Sequence, residues 1–208
     1  VGDDVMLAVA HRAGNSVAGL RAALAAGVDL VEADVHLHRG LLEVRHGRKP
    51  WWRRVVVPEL DEILAVADGD PRLMLDLKGR SLAVASRVAA TLRERAKDVP
   101  VAVCTKEWAM LDAFAGDPSV RRVFSAANAA QLAGLLARMR GERVDGVSIR
   151  LRLLTPAVVA ELRRGTDLIL AWSVDTEAEL ARARQLGVTG VISKSLPLLR
   201  GLRDQATP

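Results

Sequence analysis

The sequence predicts an α/β protein, a compact (β/α)8 TIM barrel without a sizeable inserted domain. Three observations carry that prediction. Short apolar runs alternate with longer helical segments eight times along the 208 residues, the pattern of parallel strands joined by crossover helices. No glycine-rich phosphate loop follows an early strand, as a doubly wound open sheet would usually show. The polar residues that interrupt the strands fall repeatedly at their C-terminal ends, where a barrel gathers its mouth. The length favours one domain over residues 1–208. A content of 50% hydrophobic and 26% charged residues sits in the globular range.

Val5 to Ala10 is an apolar run closed by His11 and Arg12, as expected of a buried parallel strand delivering a polar pair at its end. Asn15 or Ser16 can then cap a helix that runs through Ala26 and stops at Gly27. Val28 to Leu37 is the next strand, and Arg39-Gly40 a tight turn into a hairpin arm, Leu41 to His46. Pro58 to Ala67 reads as a helix ended by Asp68-Gly69-Asp70-Pro71.

The strand Arg72 to Lys78 is followed by a helix from Ser81 to Lys97, and the strand Val99 to Cys104 by a helix from Trp108 to Phe114. Val120 to Phe124 and the helix Ala126 to Met139 form the next pair. Val144 to Ile149 leads to a proline-opened helix, Pro156 to Arg164. Asp167 to Val174 precedes the helix Thr176 to Leu186, and Val188 to Ile192 precedes the last, Leu196 to Asp204.

Three of these strands aim chemistry at one mouth. His11 and Arg12 end the first, Glu32 and Asp34 lie two apart in the second and so leave the same face, and Asp76 and Lys78 end the next barrel strand. Three carboxylates with no thiolate make a hard-oxygen site suited to one divalent cation, Mg²⁺ or Ca²⁺, with Mn²⁺ also compatible, rather than zinc. Crowding them without a cation or Lys78 would cost roughly several kcal/mol of like-charge repulsion. Salt bridges to Arg12 and Lys78 are the alternative way to relieve it. His11 and His46, from separate segments, can divide the acid and base roles in phosphodiester cleavage. His36 and His38 share the face of Glu32 and Asp34, but His38 adjoins the turn and is expected in solvent, and His36 beside the ligand set or inside the barrel.

The order and spacing of these pieces resemble the glycerophosphodiester phosphodiesterase family, whose barrel belongs with the phosphatidylinositol-specific phospholipases C. The family pattern of HRG, PENT, E-x-D-V and HD is met by HRA at His11 to Ala13, NS at Asn15-Ser16, GVDLVEADV at Gly27 to Val35 and HG at His46-Gly47. PELDEIL at Pro58 to Leu64, LMLDLKG at Leu73 to Gly79, LAWSVDT at Leu170 to Thr176 and GVTGVIS at Gly187 to Ser193 are similar to its later segments. The resemblance implies a metal-dependent phosphodiesterase that hydrolyses glycerophosphodiesters to glycerol 3-phosphate and an alcohol. It implies His11 and His46 as the catalytic pair, Glu32, Asp34 and Asp76 as metal ligands, Arg12 and Lys78 as phosphate contacts, and Trp172 lining the substrate pocket.

The chain also departs from the pattern. The PENT glutamate is absent, HD has become HG, the closing TD pair reads Ser193-Lys194, and the third carboxylate is Asp76 where the family usually has Glu. The inserted domain common after the HD histidine is reduced here to Gly47 to Val57, which carries Trp51-Trp52 and Arg53-Arg54. A more open mouth walled by tryptophan is therefore expected. Two other readings follow from these departures: a lysophospholipase D-like or C-like activity on lysophospholipids, and a non-catalytic barrel that binds phosphate ligands.

The partner expected is a small phosphodiester. The net charge of +5 and pI near 10.1 come from arginines scattered over many helices, a solvated surface rather than a nucleic-acid patch. Packing of the tryptophan pair is favoured over membrane contact. A single cysteine, Cys104, excludes an intrachain disulfide framework, and with no apolar run long enough to span a bilayer the expected location is cytoplasmic.

Overall fold

The computed structural model describes residues 6–47 and 56–204. Its strands are β1 (Leu7–Ala10), β2 (Leu30–His38), β3 (Leu41–Val44), β4 (Leu73–Leu77), β5 (Val101–Thr105), β6 (Val120–Ala126), β7 (Gly146–Arg150), β8 (Ile169–Trp172) and β9 (Gly190–Ser193). All except β3 run parallel in the order β1-β9-β8-β7-β6-β5-β4-β2, and β1 pairs with β2 to close the ring. The expected (β/α)8 barrel is the fold found.

β3 folds back on β2 as the hairpin arm, with His38 opposite Leu41 and Val35 opposite Val44. The turn between them has positive φ at both Arg39 and Gly40, the two-residue geometry whose twist matches that of the flanking strands. The arm carries the chain from the barrel to His46.

Helices α1 (Val17–Ala25), α2 (Leu60–Ala67), α3 (Leu82–Arg95), α4 (Ala129–Met139), α5 (Pro156–Leu162), α6 (Glu177–Leu186) and α7 (Leu196–Asp204) surround the strands. Five of them start on a side-chain cap: Ser16, Ser81, Asn128, Thr155 and Thr176 each accept a hydrogen bond from a backbone N–H of the first turn. The segment Trp108–Phe114, expected to be helical, is a 3₁₀ helix. Trp108, Leu111 and Phe114 recur every three residues, the period at which 3₁₀ side chains eclipse. The indole of Trp108 fixes the segment by donating to Ser125 O at 2.9 Å.

Period two along the strands sorts their side chains into two cores. One fills the lumen, with Val9, Met74, Ala102, Cys104, Val123, Leu168, Leu170 and Ile192 packed together. The other lies between strands and helices, from Ala8 and Ala10 round to Leu199 and Leu202. Small residues let the lumen taper: a Cβ at Gly190 would lie 2.7 Å from Leu170 Cδ2 and 3.0 Å from the backbone oxygen of Leu7. Among the described residues no helix is long and apolar enough to cross a membrane. The tryptophan-walled opening expected from Trp51-Trp52 lies outside the described residues.

Candidate active site

The lumen turns from apolar to charged toward the C-terminal strand ends. In register across β2 and β4, Glu32 stands beside Met74 and Asp34 beside Asp76; one strand further, Cys104 of β5 stands beside Asp76. Parity and register together bring Glu32, Asp34 and Asp76 to one place, each offering a carboxylate oxygen within 4.8 Å of the others.

Their circumstances differ. Asp34 is fully buried and ringed by donors. Its Oδ1 lies 2.7 Å from Lys78 Nζ, and its Oδ2 accepts from Asn15 Nδ2 at 2.8 Å and lies 3.7 Å from Arg12 Nε. Burial pushes its pKa up, but the charge and hydrogen bond of Lys78, with the bond from Asn15, outweigh that and hold it below the ordinary value. Lys78 also bonds Asp76, and the two carboxylates raise its own pKa against the opposing pull of burial. Asp76 is nonetheless raised, by burial and then by Asp34, with Lys78 pulling the other way.

Glu32 has no such company. It is 5% exposed, and among the described residues its Oε2 is buried without a hydrogen-bond partner and the one positive candidate within 4.0 Å is His11 Nε2 at 3.7 Å. Burial, then the charges of Asp76 and Asp34, push it up to about 8. The salt bridges to Arg12 and Lys78 that the sequence also allowed therefore form, but on Asp34 and Asp76, and they leave the third acid uncompensated. A set of oxygens this hard and this close, one of them an orphaned buried carboxylate oxygen, fits a divalent cation.

The two histidines flank the acids. His11 follows β1 directly, its backbone N–H donating to Ser193 O at 2.8 Å. Burial, reinforced by Arg12, lowers its pKa to about 4, so the imidazole is neutral at pH 7. Arg12 holds φ at 60°, a left-handed conformation that a non-glycine residue adopts at a cost of roughly 1–2 kcal/mol. The reversal turns the chain sharply behind His11. His46 Nδ1 lies 3.2 Å from Asp34 Oδ2; an ionised carboxylate only accepts, so Nδ1 carries the hydrogen and Nε2 is left free. His11, Arg12, Glu32, His46, Asp76, Lys78 and Trp172 line one cavity of about 90 Å³.

The sequence offers Asn15 as a possible helix cap and as part of the segment similar to PENT, without a role for its side chain. In the structure Ser16 takes the cap, and Asn15 grips Asp34 twice, through its side-chain amide N–H and by accepting from the backbone N–H of Asp34 at 2.7 Å. The grip depends on Gly14, where a Cβ would lie 2.8 Å from Ala33 Cβ. Cys104, Lys106, Ser125 and Ser148 also line the cavity; the two-residue spacing of Cys104 and Lys106 was the available signal. His36 and His38 do not line it. His38 is exposed, as expected, and burial lowers the pKa of His36.

The largest described cavity, about 680 Å³, sits at the opposite rim among Pro71, Pro100, Pro118 and the starts of β5 and β6. Both of its acids are met: Asp145 pairs with Arg122 at 3.3 Å, and Asp117 accepts from Ser119 Oγ at 2.6 Å. Size alone marks the wrong end; the convergence of titratable groups marks the mouth.

No protein-family model matches the chain, and no curated protein matches it by sequence. Solved structures do match. A phosphodiesterase from Oleispira antarctica, in complex with the product sn-glycerol-3-phosphate, superposes with a TM-score of 0.79 at 18% identity, over 96% of this chain and 97% of that one. A glycerophosphodiester phosphodiesterase from Parabacteroides distasonis gives 0.78 at 17% identity, over 99% and 100%. One from Thermotoga maritima gives 0.73 at 17%, over 95% and 98%. At these identities the likeness establishes the fold.

Proposed function

We propose that this protein is a metal-dependent phosphodiesterase that hydrolyses glycerophosphodiesters to glycerol 3-phosphate and an alcohol. The observation that carries the reading is the meeting, at one barrel mouth, of three carboxylates within 4.8 Å of one another and two imidazoles 3.7 and 3.2 Å from two of them. The likeness to a barrel phosphodiesterase solved with sn-glycerol-3-phosphate supports it.

Glu32, Asp34 and Asp76 would hold the cation, Mg²⁺ or Ca²⁺. When bound it supplies positive charge against the phosphoryl oxygens. Arg12 and Lys78 add fixed positive charge beside the same acids, where an entering phosphate diester would meet them. His11, neutral because it is buried beside Arg12, takes a proton from the oxygen that bonds to phosphorus, that of water or of a substrate hydroxyl whose cyclic phosphate water then opens. His46, oriented through Nδ1 by Asp34, acts in its imidazolium form and gives the second proton, on Nε2, to the departing alkoxide as the P–O bond breaks. Trp172, which lines the same cavity, holds the organic part of the substrate.

The test is release of glycerol 3-phosphate from soluble diesters with Mg²⁺ or Ca²⁺, before and after EDTA. Turnover that EDTA stops and cation restores is expected. No turnover of any diester with cation present would sink the reading.

A further inference from the structure

The cavity at the mouth, about 90 Å³, is too small for a whole diester, since organic ligand sites run to roughly 300–1,000 Å³. Trp172 is shared by a second hollow of about 490 Å³, lined by Arg150, Arg152 and Arg182. All three arginines are exposed. Among the described residues none of them has an acidic partner within 4.0 Å. The one acid lining the hollow, Glu179, is taken: its Oε2 accepts from Asp175 N at 2.8 Å, Thr176 N at 3.1 Å and Thr176 Oγ1 at 3.1 Å in the capping box of α6.

Two of the arginines are also placed. The guanidinium of Arg150 lies 5.8 Å over the Trp172 ring, and Arg182 Nη2 donates to Leu154 O at 3.4 Å. Three forked cations around one hollow, with the local acid spent on a helix cap, make an anion site of the bidentate kind. We propose that the hollow beyond Trp172 is a specificity subsite for an anionic alcohol moiety, so that the preferred substrate is a diester whose leaving alcohol carries a second phosphate. This inference rests on the diesterase reading above.

The test compares kcat/KM for three glycerophosphodiesters whose alcohols are choline, glycerol and glycerol phosphate. The anionic diester is expected to exceed the choline diester by about tenfold. That ratio should collapse toward one in the Arg150→Gln, Arg152→Gln, Arg182→Gln variant, and in the unaltered protein at roughly 0.5 M salt. Where the triple variant fails to fold, Arg152→Gln alone should still lower the ratio by about threefold.

Equal kcat/KM for the three headgroups, as soluble diesters and as lysophospholipids alike, overturns the subsite and leaves the diesterase reading standing. If no diester is hydrolysed, that reading fails, and calorimetry of the same three compounds decides the subsite. Tighter binding of the anionic one, lost in the variant, supports it; equal affinities overturn it. Offering the three headgroups again as lysophospholipids separates a lipid source from a free one. The anionic preference in either form supports the subsite, and its absence from both refutes it.

Discussion

Acids at the two ends of β2 live in opposite circumstances. Asp29, just before the strand at the floor of the barrel, accepts from the backbone N–H of Ala8 at 2.7 Å and pairs with Arg203 at 3.1 Å. Asp70, Asp145 and Asp117 at the same end are likewise met, by Arg72, Arg122 and Ser119. Three residues along the chain, Glu32 meets other carboxylates instead, and among the described residues its Oε2 has no hydrogen-bond partner. Where every acid finds a donor, charge serves the fold. Acids crowded together weaken the fold unless something else binds, and that is the mark of a site.

The contrast breaks most sharply at the histidines. His11→Ala and His46→Ala should each lower kcat by about 10²–10⁴-fold while the far-ultraviolet circular dichroism stays that of the parent. A variant that keeps most of its turnover removes that histidine from the chemistry.

Next come the two acids themselves. Glu32→Gln should abolish cation binding measured by calorimetry, yet leave the metal-free protein at pH 9, where Glu32 is ionised, as stable as the parent or more so, because it relieves an uncompensated buried charge. Asp29→Ala should do the reverse: it orphans the Ala8 N–H and loses about 1–3 kcal/mol in denaturant melts, with turnover retained. If both acids behave alike, the distinction between the two ends fails.

The pH dependence sharpens the same point. In the folded protein Glu32 titrates at about 8 against an ordinary 4.5, so its contribution to stability is fully present below pH 4.5 and is lost as pH rises through 8. His11 runs the other way. Its folded pKa of about 4 lies below the ordinary 6.5, so its contribution is present above pH 6.5 and is lost as pH falls toward 4. Metal-free protein melted across pH 6.5 to 8.5 should therefore weaken with rising pH, and saturating Mg²⁺ or Ca²⁺ should flatten that slope. A slope that cation leaves untouched would place the binding elsewhere.

The smallest effects are packing and positioning. Gly190→Ala forces a methyl against the backbone of Leu7 and should cost roughly 1–3 kcal/mol without changing KM. Asn15→Ala frees Asp34 at the mouth and should reduce kcat/KM by about tenfold, with rescue by Asn15→Gln incomplete because the two hydrogen bonds to Asp34 depend on side-chain length.

Much of this was legible before the coordinates. Alternating apolar runs marked the strands, and two-residue parity put Glu32 and Asp34 on one face, because side-chain direction in a strand is fixed by the backbone alone. The hairpin turn at Arg39-Gly40 was equally local. The 3₁₀ form of Trp108–Phe114 was not, since it depends on where the indole of Trp108 finds an acceptor on β6. Nor was the role of Asn15, whose neighbour Ser16 offered the same capping chemistry until Gly14 brought the loop against Ala33.

By itself, then, the chain determined which residues face the lumen and which strands carry carboxylates, because both follow from period and order along the backbone. Tertiary structure alone decided how their charges are settled. Register across β2 and β4 set Asp34 against Asp76, Lys78 and Asn15 reached Asp34, and Glu32 was left buried without a hydrogen-bond donor at Oε2. Distance and burial govern electrostatic energy, and neither is written in a one-dimensional order of residues.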